Sequence, residues 1–164
     1  MYVGVAGQAL GVFSDPGPKA VGVKGSVFIC VENADATAER MMLFAEHAAL
    51  DIREVTPWNA YPWYINAKPT TEQLKAGLNP LLHVAGLMPE LKVVIFFGGS
   101  AHHAARLLER AHPDLLSRRG ISTLSTYHTS RQALWIKDPD GRDRREQPVL
   151  ETLQRTAALT CRAA

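Results

Sequence analysis

The sequence predicts an α/β fold, a three-layer α/β/α sandwich around a central four-stranded parallel sheet. Three observations carry that expectation. Four short strand-like runs, at 9–14, 52–58, 92–97 and 121–127, alternate with segments whose apolar residues recur at helical spacing. The run Lys92 to Phe97 (KVVIFF) is apolar on nearly every residue, the pattern of a strand covered on both faces. No internal repeat or low-complexity linker interrupts the alternation, and 164 residues predict one domain, 1–164, large enough to bury a core.

Taken in order, Ala9 to Ser14 (ALGVFS) is the first strand, ended by the breaker Asp15-Pro16-Gly17-Pro18. A loop with Gly22, Gly25 and Phe28 follows. Asp35 can cap a helix over about 36–50, with Met41, Phe44, Ala45, Ala48 and Ala49 on its buried side. Ile52 to Trp58 reads as the second strand and Asn59 to Pro69 as a loop rich in proline and aromatics. Thr70 and Gln73 have capping-box spacing, and the helix they open carries Leu74, Leu78, Leu81, Leu82 and Ala85, with a kink or split expected at Pro80. After the third strand, Gly98-Gly99-Ser100 turns into a helix ending near Ala111. Ile121 to Tyr127 is the fourth strand, and Pro148 is placed to start a C-terminal helix to about Leu159. Strands alternating with helices imply a parallel sheet covered on both faces.

Composition removes several classes. With 46% hydrophobic and 21% charged residues, the chain is neither disordered, collagen-like nor a coiled coil. No stretch approaches the ~18–20 apolar residues of a membrane helix, and Met1 to Leu10 lacks the basic and apolar regions of a signal peptide, so a cytoplasmic location is expected. Cys30 and Cys161 are too few for a disulfide framework, a four-cysteine zinc site or an iron–sulfur cluster. Charge is uneven: residues 1–100 hold 7 Lys and Arg against 9 Asp and Glu, whereas 101–164 hold 11 against 7. The excess at Arg118-Arg119, Arg131, Lys137 and 142–145 fits a phosphate-binding face or a solvated surface.

Open parallel sheets bind ligands outside the carboxyl ends of their strands, which directs attention to 15–18, 59–64, 98–100 and 128–131. Asp15 either initiates a turn or presents a carboxylate that orients water or opposes a cation. The segment Trp58 to Tyr64 holds two of the three tryptophans and two of the four tyrosines. It is either an aromatic loop on the core or a planar-ligand site, where the Asn59 carboxamide could donate and accept along a nucleobase edge. His128 heads the run Thr129-Ser130-Arg131, a set suited to an anion such as a phosphodiester. His102-His103 are neighbours on a helix and cannot chelate one ion from a single face. Gly98 to Ser100 lacks a P-loop lysine and reads as a tight turn or a phosphate cradle.

These segments, in this order, resemble the uracil-DNA glycosylase superfamily, most closely short bacterial members without iron–sulfur cysteines. Their first motif reads roughly acid-x-Pro-Gly-Pro and their second Trp-Asn-x-x-Pro-Trp-Tyr. The resemblance runs from about Leu10 to Leu134, and its most specific piece is Thr56 to Ile65 (TPWNAYPWYI). It implies a four-stranded parallel sheet between helices and hydrolysis of the N-glycosidic bond of uracil in DNA, leaving an abasic site. Asp15 resembles the water-activating carboxylate, with Pro16 and Gly17 beside the base. Phe28 stands where an aromatic stacks on the extruded base, Asn59 where an asparagine reads the uracil edge, and His128 where a histidine bonds uracil O2. Thr129, Ser130 and Arg131, with Ser26 and Lys24, would grip phosphates or enter the duplex. The departures are Ser14 in place of an acid, Gly17 in place of a methyl-excluding Tyr, Thr129 in place of Pro, and Arg131 in place of an intercalating Leu. The implied partner is uracil-containing DNA, single- or double-stranded, met by a cytoplasmic, nucleoid-associated monomer. No cofactor, no metal and no membrane is called for, and no motif lysine offers a lyase step. Two other readings stay open: a damaged-DNA or abasic-site binder that kept the pocket, and a small nucleotide- or phosphoester-binding domain using Gly98 to Ser100.

Overall fold

Crossover connections between parallel strands are right-handed, so the direction in which each strand is added decides which face its helix covers. The computed structural model describes residues 4–17 and 36–161 and follows that rule. Strands β1 (Ala9–Phe13), β2 (Val55–Asn59), β3 (Val93–Phe97) and β4 (Ser122–Thr126) form one all-parallel sheet in the order β2-β1-β3-β4. The step from β1 to β2 runs one way and lays α1 (Ala36–His47) on one face. The steps to β3 and β4 run the other way and lay α2 (Thr71–Gly86) and α3 (Gly98–Ala111) on the opposite face. The single turns α4 (Leu115–Arg118) and α5 (Arg131–Leu134) flank β4, and the long α6 (Pro139–Thr160) returns to the face of α1.

The strand alternation sorts side chains between two cores. Leu10, Val12, Val94 and Phe96 meet Leu74, Leu78 and Leu81 of α2 and Ala104 and Leu108 of α3. Ala9, Val93, Ile95 and Phe97 meet Met41 and Ala45 of α1 and Val149 and Leu153 of α6. Each large aliphatic side chain so buried contributes roughly 1.5–3 kcal/mol. Every residue of β3 is buried, as expected for a strand with neighbours on both sides and helices on both faces. The expected three-layer arrangement is present.

The local differences from expectation have local causes. The first helix stops at His47 because Ala49 takes a left-handed backbone (φ +52°), which turns the chain back toward the sheet. The second strand starts at Val55, after a 3-10 turn over Ile52–Glu54 capped by the Asp51 carboxylate, which accepts from the Arg53 N–H. The Thr70–Gln73 capping box forms as expected. Pro80, however, neither splits nor ends α2, because Leu74 and Leu78 before it and Leu81 and Ala85 after it are buried on one core. The last helix begins at Pro139 rather than Pro148. Asp138 caps it by accepting from the Gly141 N–H, and Pro148 lies inside the helix beside buried Val149. Among the described residues, no helix is long and apolar enough to cross a membrane.

Candidate functional site

Parallel strands end on one edge, and the crevice opens where successive connections leave in opposite directions, here between β1 and β3. Phe13 ends β1 and Phe97 ends β3, and their rings stack with centroids 4.8 Å apart and planes 6° from parallel. His128, just past β4, packs on Phe13 in a T-shaped contact at 5.5 Å. On the other side Asn59, the last residue of β2, is in register with Phe13. The N–H groups of Ala60 and Tyr61 donate to the carbonyls of Phe13 and Ser14 at 2.9 and 3.0 Å, which ties the segment leading to Asp15 to the loop after Asn59. Asn59 and His128 thus flank Phe13 at one sheet edge, and Asp15 follows two residues beyond it.

The chemistry of His128 follows from its neighbours. The Ser130 N–H donates to Nδ1 at 3.0 Å, so Nδ1 acts as an acceptor and the neutral ring carries its hydrogen on Nε2. Burial holds its pKa below the ordinary imidazole value of 6.5, which favours that neutral form. The turn beneath the ring requires a glycine. Gly98 has φ +82°, and a Cβ there would lie 2.9 Å from the His128 Cβ. His102 fastens the same corner: its Nε2 meets the carbonyls of Thr126 at 2.7 Å and Phe96 at 3.2 Å and, since both are acceptors, must donate. That role, and the need for Gly98, account for these residues by packing.

Asn59 is buried, 3% exposed, at the carboxyl end of β2. The loop that follows it is set by α2: a Cβ at Gly77 would collide with the Ala60 carbonyl oxygen, so only glycine lets the helix approach. Asp15 is half-buried, and burial raises its carboxyl above the ordinary carboxylate value, with a hydrogen bond from Ser14 opposing the rise. Pro16 is buried. Gly17 is exposed, and a Cβ there would meet nothing within 4 Å.

The loop after β4 is gripped from behind by two arginines: Arg40, which the sequence did not single out, and Arg145, which it placed only within a basic excess. Arg40 of α1 donates from Nε to the Thr129 carbonyl at 3.2 Å and pairs with Glu146 of α6 at 2.6 Å. Arg145 of α6 donates to the Ala133 carbonyl at 2.8 Å and stands over the Tyr127 ring at 5.9 Å. Ser130 caps α5, its Oγ accepting from the Ala133 N–H at 3.4 Å, which leaves its own hydroxyl hydrogen to offer. Thr129 departs from expectation. Its side chain is fully buried, with no partner for Oγ1 among the described residues, so it does not face a phosphate. Ser130 is partly buried and Arg131 is exposed.

In the aromatic segment, Trp58 packs against the α2–α3 core, whereas Trp63 is 50% exposed and tilted against Tyr61 at 5.0 Å. Lys24, Ser26 and Phe28 lie outside the described residues. Among the described residues, no group of three or more His, Cys, Asp or Glu side chains is arranged to hold a metal ion. Two grooves of about 430 and 440 Å³ lie along α1, away from Asn59 and Asp15, and the first of them includes Arg131. Compared with protein-family models and with curated proteins, the chain matches none of them.

Proposed function

We propose that the chain is a monofunctional DNA glycosylase that hydrolyses the N-glycosidic bond of uracil and leaves an abasic site. The observation that carries the reading is the state of His128. With Nδ1 accepting from the Ser130 backbone, Nε2–H is left as a donor at the edge where Asn59 and Asp15 also lie. A neutral, preorganised donor suits a leaving group that departs as an anion, because it stabilises charge as it develops. In the reaction the C1′–N1 bond breaks and its electron pair leaves with uracil, in part on O2, which His128 steadies. Asp15 opposes the cationic sugar and directs a water to C1′. Its raised pKa makes it a better acceptor for the proton that water loses as the C1′–O bond forms.

Asn59 supplies the selectivity. Its amide can donate to uracil O4 and accept from N3–H, whereas cytosine offers the opposite pattern at those atoms. The base must leave the stack to reach such a pocket, at a cost of a few kcal/mol. Ser130 and Arg131 are the phosphate contacts. Gly17 leaves a C5 methyl unopposed, so thymine mispairs and other deaminated bases belong in the substrate panel. Such an enzyme would act as a monomer on chromosomal DNA in the cytoplasm. The test is a base-release assay on modified single- and double-stranded oligonucleotides, with alkali to cleave abasic sites. Release of uracil abolished by Asp15→Ala or His128→Ala, with DNA affinity retained, is expected. Tight DNA binding by the wild type with no release from any substrate would favour an abasic-site binder and sink the enzyme.

A further inference from the structure

The groove between α1, α5 and α6 encloses about 430 Å³ and carries its own charge logic. Of its lining groups, Arg40 and Glu146 neutralise each other across 2.6 Å. That leaves the guanidinium groups of Arg131 and Arg142 against the carboxylate of Glu39. Neither guanidinium has a hydrogen-bond or ion-pair partner among the described residues, and Arg142 Nε is closed off from water as well. A closed-off N–H with no acceptor is costly, and more so on a charged group. Beside them stands Trp135, 55% exposed, the most exposed large apolar side chain among the described residues. Two unpaired guanidinium forks next to an open indole face match a phosphate joined to a planar base.

We propose that this groove seats a nucleotide flanking the extruded one in a DNA strand, its phosphate between Arg131 and Arg142 and its base against Trp135. The inference rests on the DNA reading above and adds to it a second subsite. A strand rather than a free nucleotide is indicated by continuity. Arg131 lines the groove and directly follows Ser130, whose N–H holds His128, so the groove begins one residue from the candidate pocket.

The test is fluorescence anisotropy of the full chain with a labelled single strand of about a dozen nucleotides that contains no uracil. Arg142→Gln and Trp135→Ala should each weaken binding about tenfold. Arg142→Gln should also reduce the slope of log affinity against log salt by about 0.7, one phosphate contact on a single strand. Arg110→Gln, on an exposed position of α3, should bind as the wild type. Trp135→Ala removes an exposed side chain, so its fold survives, as an unchanged melting curve would verify. Wild-type affinity in that variant overturns the inference. Thymidine monophosphate displacing the strand at an equal nucleotide concentration would overturn it too, by making the groove a mononucleotide site. The two proposals fail separately: groove-dependent binding without uracil release removes the glycosylase alone, and uracil release with unaltered binding by both variants removes the groove alone.

Discussion

Gly98→Ala tests whether the end of β3 sets the position of His128. The added methyl meets two obstacles. A backbone at φ +82° is left-handed, which costs a residue with a Cβ about 1–2 kcal/mol. The new Cβ would also lie 2.9 Å from the His128 Cβ and 3.5 Å from its backbone nitrogen, an overpacking worth about 1–3 kcal/mol. Reduced freedom of the unfolded chain returns about 0.4–1 kcal/mol. The net is a loss of roughly 1–5 kcal/mol, or a fall in Tm of about 2–20 °C for a chain of this size. The contact relaxes by moving the imidazole away, so uracil release should fall by about tenfold or more at temperatures where the variant is still folded. Gly99→Ala is the control. A Cβ there meets nothing within 4 Å and the backbone is unstrained, so its Tm should stay within about 2 °C of the wild type. Thermal melts with base-release assays on both variants decide the matter. If Gly98→Ala melts and reacts like the wild type, or Gly99→Ala is equally harmful, the packing account of His128 is wrong.

Asn59→Asp keeps the shape and replaces the amide donor with an acceptor, so uracil release should drop about a hundredfold or more. At a site 3% exposed the new carboxyl resists ionisation, and its Tm deficit should therefore widen as pH rises. An equally active variant would remove Asn59 from base reading. For His128, a folded pKa below 6.5 means that the unfolded chain binds the proton first as pH falls. Stability is therefore full above about 6.5 and declines below it, until the folded ring also protonates. Melts of wild type and His128→Gln across that range should converge at low pH; parallel curves would refute the assignment. For Asp15, whose pKa is raised, the acid limb of the base-release profile should fall above 3.8, and a limb below it would deny the carboxylate its role. Arg145→Met keeps the aliphatic stem but loses the bond to the Ala133 carbonyl, so amide exchange over 127–135 should quicken with little change in α2 or α3.

The layers were legible because they depend on patterns that local sequence contains. The short apolar run of β1, the continuous apolar run of β3 and the Thr70 capping box each express a single local preference that the tertiary structure leaves standing. The prolines show where that logic stops. Pro80 and Pro148 each break an intrahelical bond at a cost of about 3 kcal/mol, and the sequence reading gave them that weight. In the fold, buried apolar residues outweigh it: Leu78 and Leu81 on either side of Pro80, and Val149 and Leu153 after Pro148. The start of α6 was missed for a related reason. Asp138 and Pro139 form a good cap, but the turns they open are charged and carry almost no apolar periodicity.

The candidate site divides the same way, between groups that would do chemistry and groups that hold them. Asp15, Asn59 and His128 could be found from sequence because the carboxyl end of a strand is a place sequence can name. Their supports could not. Arg40 reaches a carbonyl 89 residues away and a carboxylate 106 residues away, and nothing local distinguishes it from any helix-surface arginine. Phe13 and Phe97 read as ordinary strand residues until β1 and β3 lie side by side. Thr129 differs from expectation because strand alternation stops after β4: continued alternation from buried Thr126 would expose it, yet it is buried, with its carbonyl held by Arg40 from across the fold. The supports act on the proposed chemistry only through geometry: Gly98 through the space it leaves His128, Arg40 and Arg145 through the carbonyls they hold. On the proposed reading, replacing them should degrade uracil release without altering which base is chosen, because that reading gives selection to Asn59, on the opposite side of Phe13 from the braced loop.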